Sequence, residues 1–454
     1  MSEFELRNPV GVVSPSRAKA GTHVRWRVMT FVTLVTVLTY LDRLNLSIAA
    51  PYVQSELGLS TEAMGWVLSA FLLGYATMQI PGGWAGDRFG ARRVMTVAIF
   101  LWSLFTALTA YASGFAKFGI IGPVASLILV RFLVGVGEAA SSPNLNKIVS
   151  AWMGNKEHGK GSSFTILGIG LGGALTPPLI AWAMQRYGWH SAFVAAGLAG
   201  VVIAVFWYRQ VTDTPEEHPA ISAEELAVIV DERVGKAAPH LRGATPWKRF
   251  LASRSVWGLV LGYACQGFPI YFYHTWFFVY LVNHRHLSIS KGSFLGATPY
   301  IAIACLAPVG GFVSDLAAAR LGKRNGRRVA VWLGMGLSAL FLLVGSHTEA
   351  TIPAVLMLAC GAGLNMFAAT TFWATCIDLS SECTASISGL MNTFGNLGGW
   401  LSPIVSAYIA MRFGWEKALL CAAVVTVLSG FFFSFVDASQ SLDAPETARR
   451  ATSS

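Results

Sequence analysis

Leu171-Gly172-Gly173-Ala174-Leu175-Thr176-Pro177 and Leu397-Gly398-Gly399-Trp400-Leu401-Ser402-Pro403 are one pattern written twice, 226 residues apart. The same ungapped register carries Arg186-Tyr187-Gly188-Trp189 onto Arg412-Phe413-Gly414-Trp415. A second pair, Gly82-Gly83-Trp84-Ala85-Gly86-Asp87 and Gly310-Gly311-Phe312-Val313-Ser314-Asp315, repeats at an offset of 228. Two matches at nearly one offset mark an internal duplication. Around them, apolar runs long enough to cross a bilayer recur twelve times. They fall near 28–50, 64–84, 94–112, 126–146, 163–185 and 192–208, then 256–282, 294–316, 329–346, 352–376, 387–410 and 416–436. Six spans per copy return the chain to its starting side, so the two copies keep one orientation. The expected fold is all-α: two pseudo-symmetric six-helix bundles, 28–208 and 255–437, joined by a linker at 209–254 and flanked by polar tails at 1–27 and 438–454.

Composition excludes most alternatives. Of the 454 residues, 54% are hydrophobic and only 12% charged, about half the charge of a soluble protein. The net charge of +10 then describes topology rather than nucleic-acid binding. Of the 33 Lys and Arg residues, 25 lie in the tails, the linker and the loops on their side. That bias places both termini and the linker in the cytoplasm of a cell (inner) membrane. Residues 1–27 carry no cleavable signal pattern, since the apolar run that follows is too long for one. The six cysteines sit mostly in apolar runs, without metal-ligand spacing, and read as packing residues. No enzyme activity, metal or cofactor is expected. Gly135-Val136-Gly137-Glu138-Ala139-Ala140 mimics a dinucleotide loop but lacks the strand and βαβ unit that would give it meaning. In the linker, Ser222 and Glu225 have capping-box spacing ahead of a short amphipathic helix suited to the membrane surface.

Charge inside the spans points to function. In Tyr40-Leu41-Asp42-Arg43-Leu44-Asn45, two ionisable residues fall deep in the first span, and Arg131 and Glu138 fall in the fourth. Such residues are costly in hydrocarbon and mark proton or substrate pathways. Tyr40, Arg43 and Ser47 share one helical stripe, and Asp42 sits with Asn45 on another. This phase assigns Arg43 to a substrate carboxylate, which its planar fork suits, and Asp42 to a proton. Arg131, Gly135, Glu138 and Ser142 form a further stripe, with Glu138 a second proton carrier and Arg131 the charge partner of Glu138 or Asp42.

The loop Gly83-Trp84-Ala85-Gly86-Asp87-Arg88-Phe89-Gly90-Ala91-Arg92-Arg93 resembles the signature of major facilitator superfamily transporters. That resemblance implies a gate built from Asp87, Arg88 and Arg92, with Asp315 in the degenerate second copy. Three patterns narrow it: Tyr40-Leu41-Asp42-Arg43-Leu44-Asn45-Leu46-Ser47 with Pro51, Arg131-Phe132-Leu133-Val134-Gly135-Val136-Gly137-Glu138-Ala139, and Met391-Asn392-Thr393-Phe394-Gly395-Asn396-Leu397-Gly398-Gly399. Together they resemble the anion:cation symporters, which include hexuronate, galactonate, glucarate and phthalate permeases. The resemblance implies proton-coupled import of a small organic anion, most simply a sugar acid, with an aromatic carboxylate as the alternative. It also implies a substrate contact at Tyr75. Asn392 and Asn396 could read substrate hydroxyls. Tyr273, Trp276 and Trp373 are aromatic candidates for the same cavity, whereas His274 reads as an interior histidine. Several sugar-acid members carry Gln where this chain has Gly168, which predicts a roomier or less polar site on that side. A drug–proton antiporter is the rival on this fold; Gly172-Gly173 before Pro177-Pro178 departs from the GPxxGG-like kink such exporters show. The expected partners are the anion, H+ and the lipid bilayer, with the protein a monomer.

Overall fold

A computed structural model describes residues 22–59, 61–112, 114, 122–231, 245–277 and 280–443. Most of both tails, Lys117 and the linker stretch 232–244 lie outside the described residues. Among the described residues, twelve long helices form the two halves. In the first half these are α1 (Val24–Leu57), α2 (Thr61–Phe89), α3 (Ala91–Thr109), α4 (Pro123–Trp152, with a turn after Glu138), α5 (158–187) and α6 (189–210). The second half repeats them as α7 (Arg254–Thr275), α8 (298–321), α9 (323–347), α10 (Thr351–Leu379), α11 (Thr384–Phe413) and α12 (Trp415–Phe433).

The duplication read from sequence is visible in the backbone. The chain reverses between α5 and α6 at Gly188, with φ 80° and ψ 160°, and between α11 and α12 at Gly414, with φ 87° and ψ 163°. These two glycines are the pair aligned by the 226-residue offset. A side chain would be strained at that φ, so glycine is required at both turns.

Polarity is inverted relative to a soluble protein. Leu73, Val97, Phe206, Leu340, Leu356 and Val424 are exposed, whereas Asp42, Arg131, Glu138, Gln266 and Asn365 are buried. An apolar exterior around a polar interior is what a bilayer demands, and the protein is a multi-pass membrane protein. Among the described residues, seven helical stretches are long and apolar enough to span, two of them double passes. The remaining three helices, α2, α7 and α11, carry Tyr75 and Gln79, Gln266 and Tyr271, and Asn392 and Asn396, all directed inward. Their lower hydropathy is the cost of lining a cavity.

Packing follows small residues, as expected where lipid removes most of the hydrophobic drive between helices. A Cβ on Gly135 of α4 would lie 2.1 Å from the Phe71 carbonyl of α2. All six cysteines are free.

The linker helix, Ala223–Asp231, docks onto the start of α1. Glu225 accepts hydrogen bonds from the Val24 and Arg25 amides and from Thr22 Oγ1. Ser222 Oγ accepts from the Glu225 amide, giving half of the capping box. The reciprocal half is diverted, because Glu225 caps the start of α1 instead.

Candidate functional site

Between the halves lies a cavity of about 400 Å³, in the size range of small-ligand sites. The first half contributes Tyr40, Arg43, Ser47, Tyr75, Arg131 and Ser142, and the second Gln266, Tyr271, His274, Trp373, Asn392 and Asn396. Arg43 Nε and Nη2 both reach Glu138 Oε1 at 2.6 Å. Both arms of the fork therefore grip one oxygen, and Glu138 Oε2 has no hydrogen-bond partner among the described residues. Glu138 is fully buried while the Arg43 side chain stays 22% exposed to the cavity. The guanidinium is boxed by Tyr75 at 4.3 Å, Phe71 at 5.4 Å and Tyr40 at 5.5 Å, contacts that favour a cation over the ring faces. Arg131 stands over the same Phe71 ring at 5.1 Å.

The helical phase read for α1 holds. Tyr40, Arg43 and Ser47 line the cavity, whereas Asp42 and Asn45 point away from it into the first bundle. Asp42 faces Trp102 and Thr106 of α3 and Arg131 of α4.

The second half presents amides and phenols. Tyr271 donates its hydroxyl to Asn396 Oδ1 at 2.8 Å, and Asn396 Nδ2 donates to the Asn392 carbonyl. Asn392 Nδ2 reaches Tyr75 Oη at 3.3 Å and Gln79 Oε1 at 3.1 Å, so it bridges the halves at the cavity floor. Trp373 Nε1 donates to Tyr263 Oη at 2.9 Å. Gln266 Nε2 donates to Asn365 Oδ1 at 2.6 Å, a neutral buried pair where the first half has its ion pair. Among the described residues, the cavity lining contributed by the second half contains no Lys or Arg.

Two of the aromatic candidates lie elsewhere. Tyr273 donates to the Leu358 carbonyl inside the second bundle, and Trp276 donates to the Pro403 carbonyl and packs on Trp415. Tyr271, His274 and Thr275 face the cavity in their place. A helix aromatic on every side gives no phase by itself, which is why the sequence misplaced them. Gly168 does not enlarge the site either. A Cβ there would lie 2.7 Å from the Thr33 carbonyl and 2.6 Å from Thr36, so α1 fills the space a longer side chain would take.

The linker side is shut by a pseudo-symmetric pair of caps. Asp87 accepts from the Ala385 and Ser386 amides at the start of α11, at 3.3 and 2.7 Å. Asp315 accepts from the Gly159 and Lys160 amides at the start of α5, both at 2.8 Å. Each carboxylate thus sits on the N-terminus of a helix in the opposite half, where free amides and the helix dipole favour an anion. The cations completing these sites are Lys147, at 2.7 Å from Asp87, and Arg327, at 2.8 Å from Asp315. Neither was evident from spacing. Arg92 instead binds the Tyr208 carbonyl through its side chain and Asp213 through its amide, and Arg88 is exposed at the end of α2. Asp378 adds an unforeseen cross-half node, paired with His158 at 3.0 Å, Lys323 at 2.7 Å and Arg327 at 2.9 Å.

Asp87→Asn should loosen this closure. Losing a charge-assisted cap and an ion pair costs about 2 kcal/mol, roughly a thirtyfold shift toward linker-side opening. Cys383 is buried beside Asp87, so its labelling by a membrane-impermeant thiol reagent should accelerate. An unchanged labelling rate would show that the cap does not hold the closed state.

The profile of the Major Facilitator Superfamily matches residues 32–403. The chain is 35% identical over 418 residues to the "Probable galactarate/D-glucarate transporter" of Bacillus subtilis, covering 90% of each. It is 29% identical over 427 residues to the "Probable sulfoacetate transporter" of Cupriavidus necator, covering 93% of this chain and 96% of that one. Among solved structures, a proton:xylose symporter superposes with a TM-score of 0.67 at 14% identity, covering 91% of this chain and 96% of the other; that likeness concerns the fold.

Proposed function

The chain belongs to the Major Facilitator Superfamily, and from that premise we propose that it is a proton-coupled symporter importing a small organic anion, most simply a sugar acid. One observation carries the reading: a cavity-exposed guanidinium is shared between a buried carboxylate and the space where a substrate would lie. When Glu138 is ionised it holds the Arg43 fork. A proton on Glu138 dissolves the ion pair and frees the fork for the substrate carboxylate. Proton and anion thereby raise one another's affinity, which is the coupling symport requires. Arg131 adds positive charge to the same end. Gln266, Asn392 and Asn396 at the other end suit the hydroxyls of a polyol chain. Sugar acids named for the curated relatives support this choice. The ring walls Tyr40, Phe71, Tyr75 and Trp373 keep an aromatic carboxylate as a second reading.

Asp42 and Glu138 carry the proton, Arg43 anchors the carboxylate, and Asp87 and Asp315 hold the linker side closed while the cavity loads. The Lys/Arg bias supports a cytoplasmic position for that side of the inner membrane. The test is uptake into proteoliposomes under an imposed pH gradient, across uronates, aldonates, aldarates and aromatic acids. Uptake indifferent to the gradient would overturn symport. Asn396→Leu should weaken a hydroxylated acid about tenfold, the cost of unpaired buried polar groups, and an unhydroxylated acid of similar size much less; equal losses would remove hydroxyl recognition from Asn396.

A further inference from the structure

Arg324, Arg328 and Trp332 lie four residues apart on α9 and so share one stripe. The neighbouring stripe, Lys323 and Arg327, faces inward to Asp378 and Asp315 and belongs to the linker-side closure. The outer stripe turns instead to the end of α12. Arg328 Nε donates to the Val436 carbonyl at 3.0 Å, and Trp332 Nε1 donates to Ser434 Oγ at 2.9 Å. From the other flank of α12, Arg254 of α7 lays its guanidinium over the Phe435 ring at 4.7 Å. Ser255, beside it, accepts from the Asp437 amide at 3.0 Å. Small residues bring the flanks close: a Cβ on Gly258 of α7 would lie 2.8 Å from the Phe432 carbonyl, and one on Gly430 of α12 would lie 3.2 Å from the Trp332 indole. Arginines from α7 and α9 therefore converge on one spot.

Three guanidinium groups meet one carboxylate there. The charges acting on Arg328 are Arg324, Asp437 and Arg254. Asp437 is already engaged: its Oδ1 accepts from the Ser439 amide at 3.1 Å and from the Ser439 hydroxyl at 2.6 Å. Its Oδ2 stands 3.6 Å from Arg324 Nε, beyond hydrogen-bond reach. Arg328 is held by a neutral carbonyl, and Arg254 has no hydrogen bond or ion pair among the described residues. The cluster keeps a surplus of positive charge, a mutual repulsion that an anion would relieve. None of these residues lines the substrate cavity.

We propose that Arg254, Arg324 and Arg328 form a binding site for the phosphodiester headgroup of an anionic phospholipid, seated at the end of α12 between α7 and α9.

The surroundings select a lipid over a soluble anion. Trp332 lies about 6 Å further along α9 than Arg328 and is 39% exposed, the residue type and depth of a membrane interface. Phe435, beneath Arg254, packs edge-on against Phe431 at 5.2 Å. Phe431, Leu428 and Val329 are exposed, so the polar site runs without a break into the lipid-facing surface. A free phosphate would use the arginines alone, whereas a phospholipid uses them and lays its acyl chains on the apolar face below. The planar guanidinium suits phosphate oxygens, and basic pockets beside transmembrane helices are where such headgroups are held. Bound there, the headgroup fastens α7 to α9 across the end of α12.

Native mass spectrometry of the full-length protein, purified in detergent and stripped of lipid, tests the site. Phosphatidylglycerol is titrated against phosphatidylcholine, whose headgroup carries phosphate without net charge. One phosphatidylglycerol should be retained, and phosphatidylcholine should bind at least about tenfold more weakly. Arg254→Gln and Arg328→Gln should each weaken phosphatidylglycerol about fivefold, and the pair about 25-fold. The double variant should also lose the rise in melting temperature that this lipid gives the wild type. Arg254→Lys combined with Arg328→Lys should bind within about threefold of wild type, which separates charge from fold. Arg320→Gln, at the exposed end of α8 and outside the cluster, should bind as wild type does. Equal retention of the two lipids, or equal losses in Arg320→Gln and the cluster variants, would overturn the site. Displacement of phosphatidylglycerol by an equal concentration of glycerol 1-phosphate would make it a soluble-anion site and overturn the lipid assignment.

Discussion

Replacing Arg43 with alanine should lower apparent substrate affinity by two orders of magnitude or more and abolish accumulation. Two losses combine. The substrate carboxylate loses a charge-assisted fork, and Glu138 is left buried without its cation. Truncating one member of a buried charge pair costs about 2–5 kcal/mol, which alone is at least thirtyfold. Arg43→Lys separates the two effects. An ammonium can still neutralise Glu138, but it offers a point charge where the guanidinium offers parallel donors. Affinity in that variant should fall about tenfold while the protein remains folded and competent for slow counterflow. Substrate titration of purified protein, followed by counterflow in liposomes, checks both expectations. An Arg43→Lys protein with wild-type affinity would take the bidentate role away from this residue.

The second large effect is uncoupling. Glu138→Gln should abolish pH-gradient-driven accumulation yet preserve counterflow, because the amide mimics the protonated, loaded state. The sign of the accompanying pH effect follows from the shared fork. On the proposed coupling, falling pH would protonate Glu138, release Arg43 and strengthen substrate binding in the wild type. In Glu138→Gln the fork is free at every pH, so affinity should be flat across pH and higher than wild type at alkaline pH. Asp42→Asn should also lose driven accumulation but keep some pH dependence of binding, since Glu138 remains to compete for Arg43. Binding isotherms at several pH values distinguish the two variants. If Glu138→Gln kept the wild-type pH dependence, the competition between Glu138 and substrate for Arg43 could not be the coupling step.

Both predictions depend on a division of labour within two adjacent residues. Asp42 and Arg43 are neighbours in sequence, but successive residues on a helix point about 100° apart. The phase of the α1 stripe therefore separated cavity from interior, and the structure places the two side chains accordingly. On α7 the same reasoning failed. Tyr271, Tyr273, His274 and Trp276 surround the helix with aromatic and polar character, and only the packing of Tyr273 against Leu358 and Trp276 against Pro403 fixed which face met the cavity.

The sequence by itself determined the membrane class, the duplication and the helix turns that repeat at 226 residues, because these depend on local composition and on backbone conformations only glycine adopts. It also determined that four ionisable residues, Asp42, Arg43, Arg131 and Glu138, would share one interior, since hydrocarbon tolerates them nowhere else. Tertiary structure alone decided which cation meets which carboxylate. Arg43 pairs with Glu138 across 95 positions of sequence, Lys147 completes the Asp87 cap on α11, and Arg327 joins Asp315 to Asp378. Such partners are chosen by how whole helices cross and how the two halves close on each other, and no periodicity within one segment contains that information.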